Sequence, residues 1–291
     1  MRRSCWWSAL RRIVVVPCSG GAQATAALTL CLFASEPVRA SWWGPSPTDR
    51  FQYNLQGPVE VGICRRPWRG QVCVEPNVYV IDLYDDFGQV QSATVAAIHA
   101  RGARAVCYVN AGAWEEWRPD AGAYPQHVLG KPLAGWPGER WLDIRRTDVL
   151  LPLIEARVQR CQQAGFDGVD FDNVDGFTHD TGFPLTAADQ LAFNRALAAL
   201  AHSYNLGVGL KNDLTQLADL VNDFDFAVNE QCEQYGECSL YDATFVAAGK
   251  AVLQIEYRVS RARFCSAANS QGRSAIRKRR ALRARPWQPC R

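Results

Sequence analysis

The chain lacks the signatures of several chemistries. It has no CxxC repeat, no His–Cys spacing of the kind that holds zinc, and no GxGxxG loop to cradle a dinucleotide. Its N-terminal apolar stretch, residues 22–34, is shorter than the roughly 20 residues a bilayer span requires, and Glu36 follows it closely. Acid is missing altogether from residues 271–291, which carry eight Arg or Lys. Charged residues make up only 21% and hydrophobic residues 48%, the balance of a folded soluble protein rather than a disordered one.

The charge is unevenly placed. A formal total of +3 over 291 residues invites a nucleic-acid reading. Residues 1–40 hold five Arg and one acid, however, and the basic tail adds its eight cations, which leaves residues 41–270 at −9. The body is acidic. The tail RSAIRKRRALRARPWQPC, with sparse aromatic interleaving, is expected to be a solvated, partly helical end, and no nucleic-acid partner is expected.

The start MRRSCWWSALRR, the apolar AQATAALTLCLFA and the closing Val38-Arg39-Ala40 fit a secretory signal over residues 1–40, cleaved after Ala40. Residues 41–291 would then form one exported domain, secreted or periplasmic, with no membrane span left after signal removal. Cleavage takes eleven cysteines to eight. Three pairs close in sequence, Cys64 with Cys73, Cys232 with Cys238 and Cys265 with Cys290, are expected to be bridged. Cys107 and Cys161 are expected as buried thiols in a strand and a helix.

Along the body, short apolar runs recur: VYVIDL at 78–83, AVCYVNAG at 105–112, RWLDIR at 140–145, GVDFDN at 168–173, GVGLKN at 207–212, FAVNEQ at 226–231 and AVLQIEY at 251–257. GRSAIRK at 272–278 offers a weaker eighth. Helical spacing lies between them: Ile154, Val158 and Cys161 on one face, and Phe193, Leu197 and Leu200 on another, with Thr186 and Asp189 placed as a capping box. LTQLADLVNDF predicts a further helix of about three turns. Apolar strands alternating with helices predict an α/β fold, a single-domain (β/α)8 TIM barrel, with a doubly wound sheet as the alternative.

Polar residues gather where these strands end: Asp82, Asn110, Asp143, Asp170, Asp172, Asn173, Lys211, Glu230 and Glu256. In a barrel these ends form one mouth, where catalytic groups are carried. Side chains alternate along a strand, so Asp170 and Asp172 share a side, as do Gln254 and Glu256. Some of these acids are expected to cap helices or pair with Arg and Lys; the whole ring is more than that role needs. Two carboxyls facing one substrate are the minimum for cleaving a glycosidic bond, one protonated and one ionised. Trp42, Trp43, Trp114, Trp117 and Trp136 could stack on sugar faces, whereas Trp141 within a strand is expected in the core.

The runs CYVNAGAWEEWRPD, GERWLDIR, GFDGVDFDNVDGF, LGVGLKND, FDFAVNEQC and GKAVLQIEY resemble glycoside hydrolase family 114, the endo-α-1,4-polygalactosaminidases, from about Tyr53 to Cys290. The resemblance implies a TIM-barrel hydrolase of α-1,4-linked galactosamine polymers with a retaining mechanism, needing no metal and no cofactor. It places the catalytic aspartate on Asp172, as nucleophile, and the catalytic glutamate on Glu230, as acid/base. Asp82, Asn110, Asp143, Asp170, Lys211 and Glu256 are the implied substrate-binding residues. Arg118 and Asp120 either join them or fix the loop after the second strand.

Three features depart from the family pattern: Asp170 where Glu is common, an insertion at 58–77, and Arg273 where the last strand expects an apolar residue. An acidic body should attract a cationic amino-sugar polysaccharide and repel a uronic-acid polymer. The rival readings are a hydrolase of another glycan, α-galactosidase-like, and an exported carbohydrate-binding barrel without catalysis.

Overall fold

The structure is a computed structural model that describes residues 42–64 and 73–291. The expected signal at 1–40, with Cys5, Cys18 and Cys31, lies outside the described residues, as does the middle of the 58–77 insertion.

In chain order the elements are β1 (Phe51–Asn54), β2 (Val78–Asp82), α1 (Ser92–His99), β3 (Arg104–Asn110), β4 (Ala113–Glu115), β5 (Leu129–Pro132), β6 (Glu139–Leu142), α2 (Thr147–Gln163), β7 (Gly168–Asp172), α3 (Ala187–Ser203), β8 (Gly207–Lys211) and α4 (Leu217–Leu220). There follow β9 (Phe226–Glu230), α5 (Cys232–Tyr235), α6 (Cys238–Tyr241), β10 (Val252–Glu256), α7 (Arg261–Ser270), β11 (Ser274–Arg277) and β12 (Gln288–Pro289). Eight strands pair in parallel in the order β1-β2-β3-β7-β8-β9-β10-β11, and β12 adds antiparallel to β11. This is a single-domain (β/α)8 barrel. Its strands are short and buried along almost their whole length, because helices cover the outside and side chains fill the inside.

Two assignments from sequence change. The run 140–145 does not enter the barrel; its strand β6 pairs antiparallel with β4 and β5 in a separate three-stranded flap. The missing barrel strand is β1, in the aromatic opening. Its polar Gln52 and Asn54 are fully buried, which hid its strand character.

Helices α2 and α3 form as their spacing predicts, and Thr186 caps α3: its hydroxyl accepts from Asp189 N at 3.1 Å, while the Asp189 carboxylate accepts from Thr186 N at 2.9 Å. LTQLADLVNDF makes only one short 3-10 turn and the four-residue α4.

The interior alternates large and small. In β8, Gly209 lies beside Phe226 of β9, and a Cβ on Gly209 would come 2.4 Å from that ring. Trp42 and Trp43 serve packing at the end of the barrel away from the mouth. Trp43 O closes over Gly207, the first residue of β8, and Trp42 stacks on His202 at 3.6 Å.

The basic tail is a structural closure. Leu55 N and Gln56 N donate to Leu282 O, Gln52 Nε2 donates to Ala284 O, and Trp287 Nε1 donates to Phe51 O, so the segment after β11 laces the last strand to the first. Lys278, buried and pushed by that burial down to about 7, donates to Gln52 Oε1, Arg283 O and Ala284 O. Arg273 is buried as well, paired with Asp242 and bonded to Gln254 at 3.1 Å, so its charge is compatible with the closed sheet. Bridges join Cys64–Cys73, Cys232–Cys238 and Cys265–Cys290. Cys107 and Cys161, expected as free thiols, form a fourth bridge that ties β3 to α2.

Candidate active site

Strand register assembles the centre of the mouth. Asp170 and Asp172 point inward from β7, Lys211 ends β8 and Glu230 ends β9. Lys211 Nζ lies 2.9 Å from Asp172 Oδ1, 3.3 Å from Glu230 Oε2 and 3.3 Å from Tyr53 Oη. Tyr108 from β3 donates to Asp172 Oδ2 at 2.7 Å, and Tyr53 from β1 donates to Asp170 Oδ2 at 2.9 Å. The Tyr257 hydroxyl, one residue past β10, donates to Glu230 Oε1. Each carboxylate is thus held by a phenol, and the two at the surface share one ammonium.

The electrostatics separate the carboxyls. Burial would raise the Asp172 pKa, but the Lys211 charge and the hydrogen bonds from Tyr108 and Lys211 outweigh it and hold the group below the ordinary carboxylate range. For Lys211, burial favours the neutral amine; Asp172, Glu230 and Asp170 overcome that and keep it charged. Asp170, fully buried with its Oδ1 unpartnered among the described residues, is pushed up to about 7 by desolvation.

That last shift has a measurable sign. The native state keeps an Asp170 proton that the unfolded chain releases near its ordinary 3.8, so stability falls as pH rises from about 4 to 7. Asp170→Asn should gain up to about 4 kcal/mol relative to wild type across that window. Chemical unfolding at both pH values checks this, and equal slopes in the two proteins would refute it. Asp213, also raised to about 7 by burial, is present in both and cancels.

Above the pair opens a cleft of about 810 Å³. Nine carboxylates line it, against the cations Arg118, Lys211 and Arg280. Of the residues expected from sequence at the mouth, Asp82, Asp172, Asn173, Lys211 and Glu230 line this cleft. Asp82 is engaged by Arg118 at 2.6 and 2.8 Å, so Arg118 fixes the mouth rather than standing free. Asp120 is drawn away to Arg157 at 2.7 Å.

Asn110, Asp143, Asp170 and Glu256 do not line the cleft. Asn110 is buried, donating to Glu139 and accepting from Ala113 N. Asp143 sits beyond the flap strand β6, not on a barrel strand, and turns to Arg145 at 2.7 Å. Asp170 lies below the pair. Glu256 accepts from Glu233 N and Gln254 Nε2 and so steadies the loop after Glu230.

The sequence reading passed over Tyr53, Tyr108, Tyr257, Glu115 and Glu139. The tyrosines look like ordinary core aromatics. The two glutamates belong to the flap, whose place over the mouth only the structure reveals. Glu139 is raised to about 8, first by burial and then by Glu115 and Asp172. Trp117 and Trp136 line the cleft, and Trp141 does so while 5% exposed and stacked on His179. Trp114 packs beside the core instead, donating to Ala121 O.

A (β/α)8 barrel with paired carboxylates at its C-terminal mouth defines a glycoside hydrolase of the TIM-barrel class. The chain belongs to glycoside-hydrolase family GH114, whose model it matches over residues 34–291. It is similar to Ega3 of Aspergillus fumigatus, solved as a complex with galactosamine, at 32% identity, covering 83% of this chain and 95% of that one with a TM-score of 0.70. The glycoside hydrolase domain of PelA from Pseudomonas aeruginosa shares the fold at 14% identity, covering 73% of this chain and 90% of that one with a TM-score of 0.56. No curated protein sequence matches the chain.

Proposed function

We propose that the protein is an exported endo-acting hydrolase of α-1,4-linked galactosamine polymers that works by double displacement. The observation that carries this reading is the shared Lys211 ammonium. The carboxylate oxygens it touches on Asp172 and Glu230 can be no farther apart than the two contacts laid end to end, about 6 Å, which suits the ~5–5.5 Å of retaining enzymes better than the ~6.5–9.5 Å of inverting ones.

In this reaction Asp172, kept ionised, attacks the anomeric carbon while Glu230 gives its proton to the departing glycosidic oxygen. The glycosyl ester on Asp172 is then opened by water, whose proton passes to Glu230, and the anomeric configuration is retained. Unacetylated galactosamine carries an ammonium near neutral pH, and the eight lining carboxyl groups other than Glu139, which its raised pKa keeps largely protonated, supply a field that attracts it. The galactosamine in the Ega3 complex supports the same sugar. Four disulfides and the basic, then apolar, start of the chain support export.

The test is a product assay on galactosamine polymer, its fully acetylated form and polygalacturonate. Cleavage of the galactosamine polymer is expected, weakened by salt as screening removes the steering, with polygalacturonate untouched. Failure to cut any amino-sugar polymer would refute the reading. Cleavage of a neutral galactan alone would favour the α-galactosidase-like alternative.

A further inference from the structure

The closing tail also places a cation in the cleft. Of the three lining cations, Arg118 is held by Asp82 and Glu115, and Lys211 by Asp172 and Glu230. Arg280 has no carboxylate partner among the described residues. Its guanidinium instead lies 5.4 Å from the centre of the Trp136 ring.

Both groups are mounted on anchored backbone. Arg280 sits between Lys278, whose N bonds Glu256 O, and Leu282, whose O takes Leu55 N and Gln56 N. Trp136 sits in the turn between β5 and β6, where Trp136 N bonds Leu133 O and Glu139 N bonds Trp136 O. The flap and the tail therefore meet at this pair, on the cleft wall.

A site built for an ammonium would offer carboxylate and bare aromatic face. Here the ring face is already taken by a fixed positive charge, and a second cation would be repelled. An N-acylated sugar carries no such charge. Its acetamide carbonyl can accept from the guanidinium N–H groups, which only donate and which the indole holds in place.

We propose that Trp136 and Arg280 form an outer subsite that takes an uncharged, N-acetylated residue of the chain, while the carboxylate-lined centre takes cationic galactosamine. The inference rests on the proposed reaction and names the substrate more narrowly: a partly acetylated polymer in which the acetylated sugar is bound away from the bond that breaks.

The test compares kcat/KM on fully deacetylated α-1,4-galactosamine oligomers and on oligomers of equal length carrying acetylated residues. Arg280→Glu should lower the preference for the acetylated oligomers by about tenfold, because an attractive charge replaces a repulsive one for the ammonium form. Trp136→Ala, which frees the guanidinium that the indole holds, should lower the same preference by raising KM for the acetylated oligomers. Arg279→Glu makes the same change of charge on an exposed neighbour outside the cleft lining and should leave the ratio at the wild-type value. Equal ratios for Arg280→Glu, Arg279→Glu and wild type would overturn the inference while leaving the reaction intact. Wild type that cuts neither oligomer would overturn the reaction itself.

Discussion

Asp172→Asn is expected to lower turnover about 10⁴-fold or more, as removal of a nucleophile does, while the protein stays folded. Asparagine keeps the shape and one hydrogen bond from Tyr108 or Lys211 but offers no anion to the anomeric carbon. Lys211 retains Glu230 as a counter-charge, so the mouth is not left with an unpaired ammonium. Glu230→Gln should cost about 10²–10⁴-fold, the range for general acid/base groups, and less with substrates whose leaving group needs no proton. Small-anion rescue separates the roles. In Asp172→Ala, azide would attack the α-linked sugar directly and give the β-glycosyl azide. In Glu230→Ala, azide would open the ester on Asp172 and give the α-azide. The opposite stereochemistry would exchange the assignments, and full activity in either Asn or Gln variant would remove that residue from catalysis.

The residues proposed for this work were legible because the barrel imposes a local rule. An apolar strand covered on both faces that ends in an acid or a lysine announces the mouth, and Asp172, Lys211 and Glu230 each end such a run. The same rule misled at RWLDIR. A short apolar run identifies a strand without identifying its sheet, and β6 pairs with the flap. With it went Asp143, whose carboxylate serves Arg145, and the recognition that Glu139 faces the mouth.

Long-range partnerships were invisible for a different reason. Tyr53, Tyr108 and Tyr257 lie on three separate strands or their edges, and nothing local distinguishes a phenol that holds a carboxylate at the mouth from one that fills a core. Cys107 and Cys161 are 54 residues apart, and strand-to-helix packing alone brings them together. The tail read as a solvated polycation because its charges are counted in sequence. In the fold Arg273 and Lys278 are buried against Asp242 and a set of backbone carbonyls, and of the tail's cations Arg280 lines the cleft.

Lys211→Met should be the most damaging change to a residue that makes no bond to substrate in the proposed reaction. The side chain is 2% exposed, and it is the cation shared by Asp172 and Glu230 above Asp170. Without it, burial and mutual repulsion dominate all three carboxyls, and the Asp172 pKa rises toward neutrality. The acid limb of kcat/KM then moves upward in pH, so the variant loses more activity at pH 5 than at pH 8, on the order of 10²-fold more at the lower value.

Stability follows the opposite ordering. Asp172's depressed pKa contributes stability that is present above its unfolded value near 3.8 and lost as pH falls through the lower folded value. Removing Lys211 deletes that contribution and leaves buried carboxylates without a counter-charge, so the variant should be less stable at pH 7, by the ~3–5 kcal/mol typical of breaking a buried ion pair, and should approach wild type at acid pH, where protonated carboxyls need no counter-charge. pH–rate profiles and chemical unfolding at the two ends of the range measure both effects on the same protein. A simple packing defect would lower stability equally at every pH and leave the acid limb where it is, and that pair of results would show that Lys211 fills space rather than setting the charge state of Asp172, the proposed nucleophile.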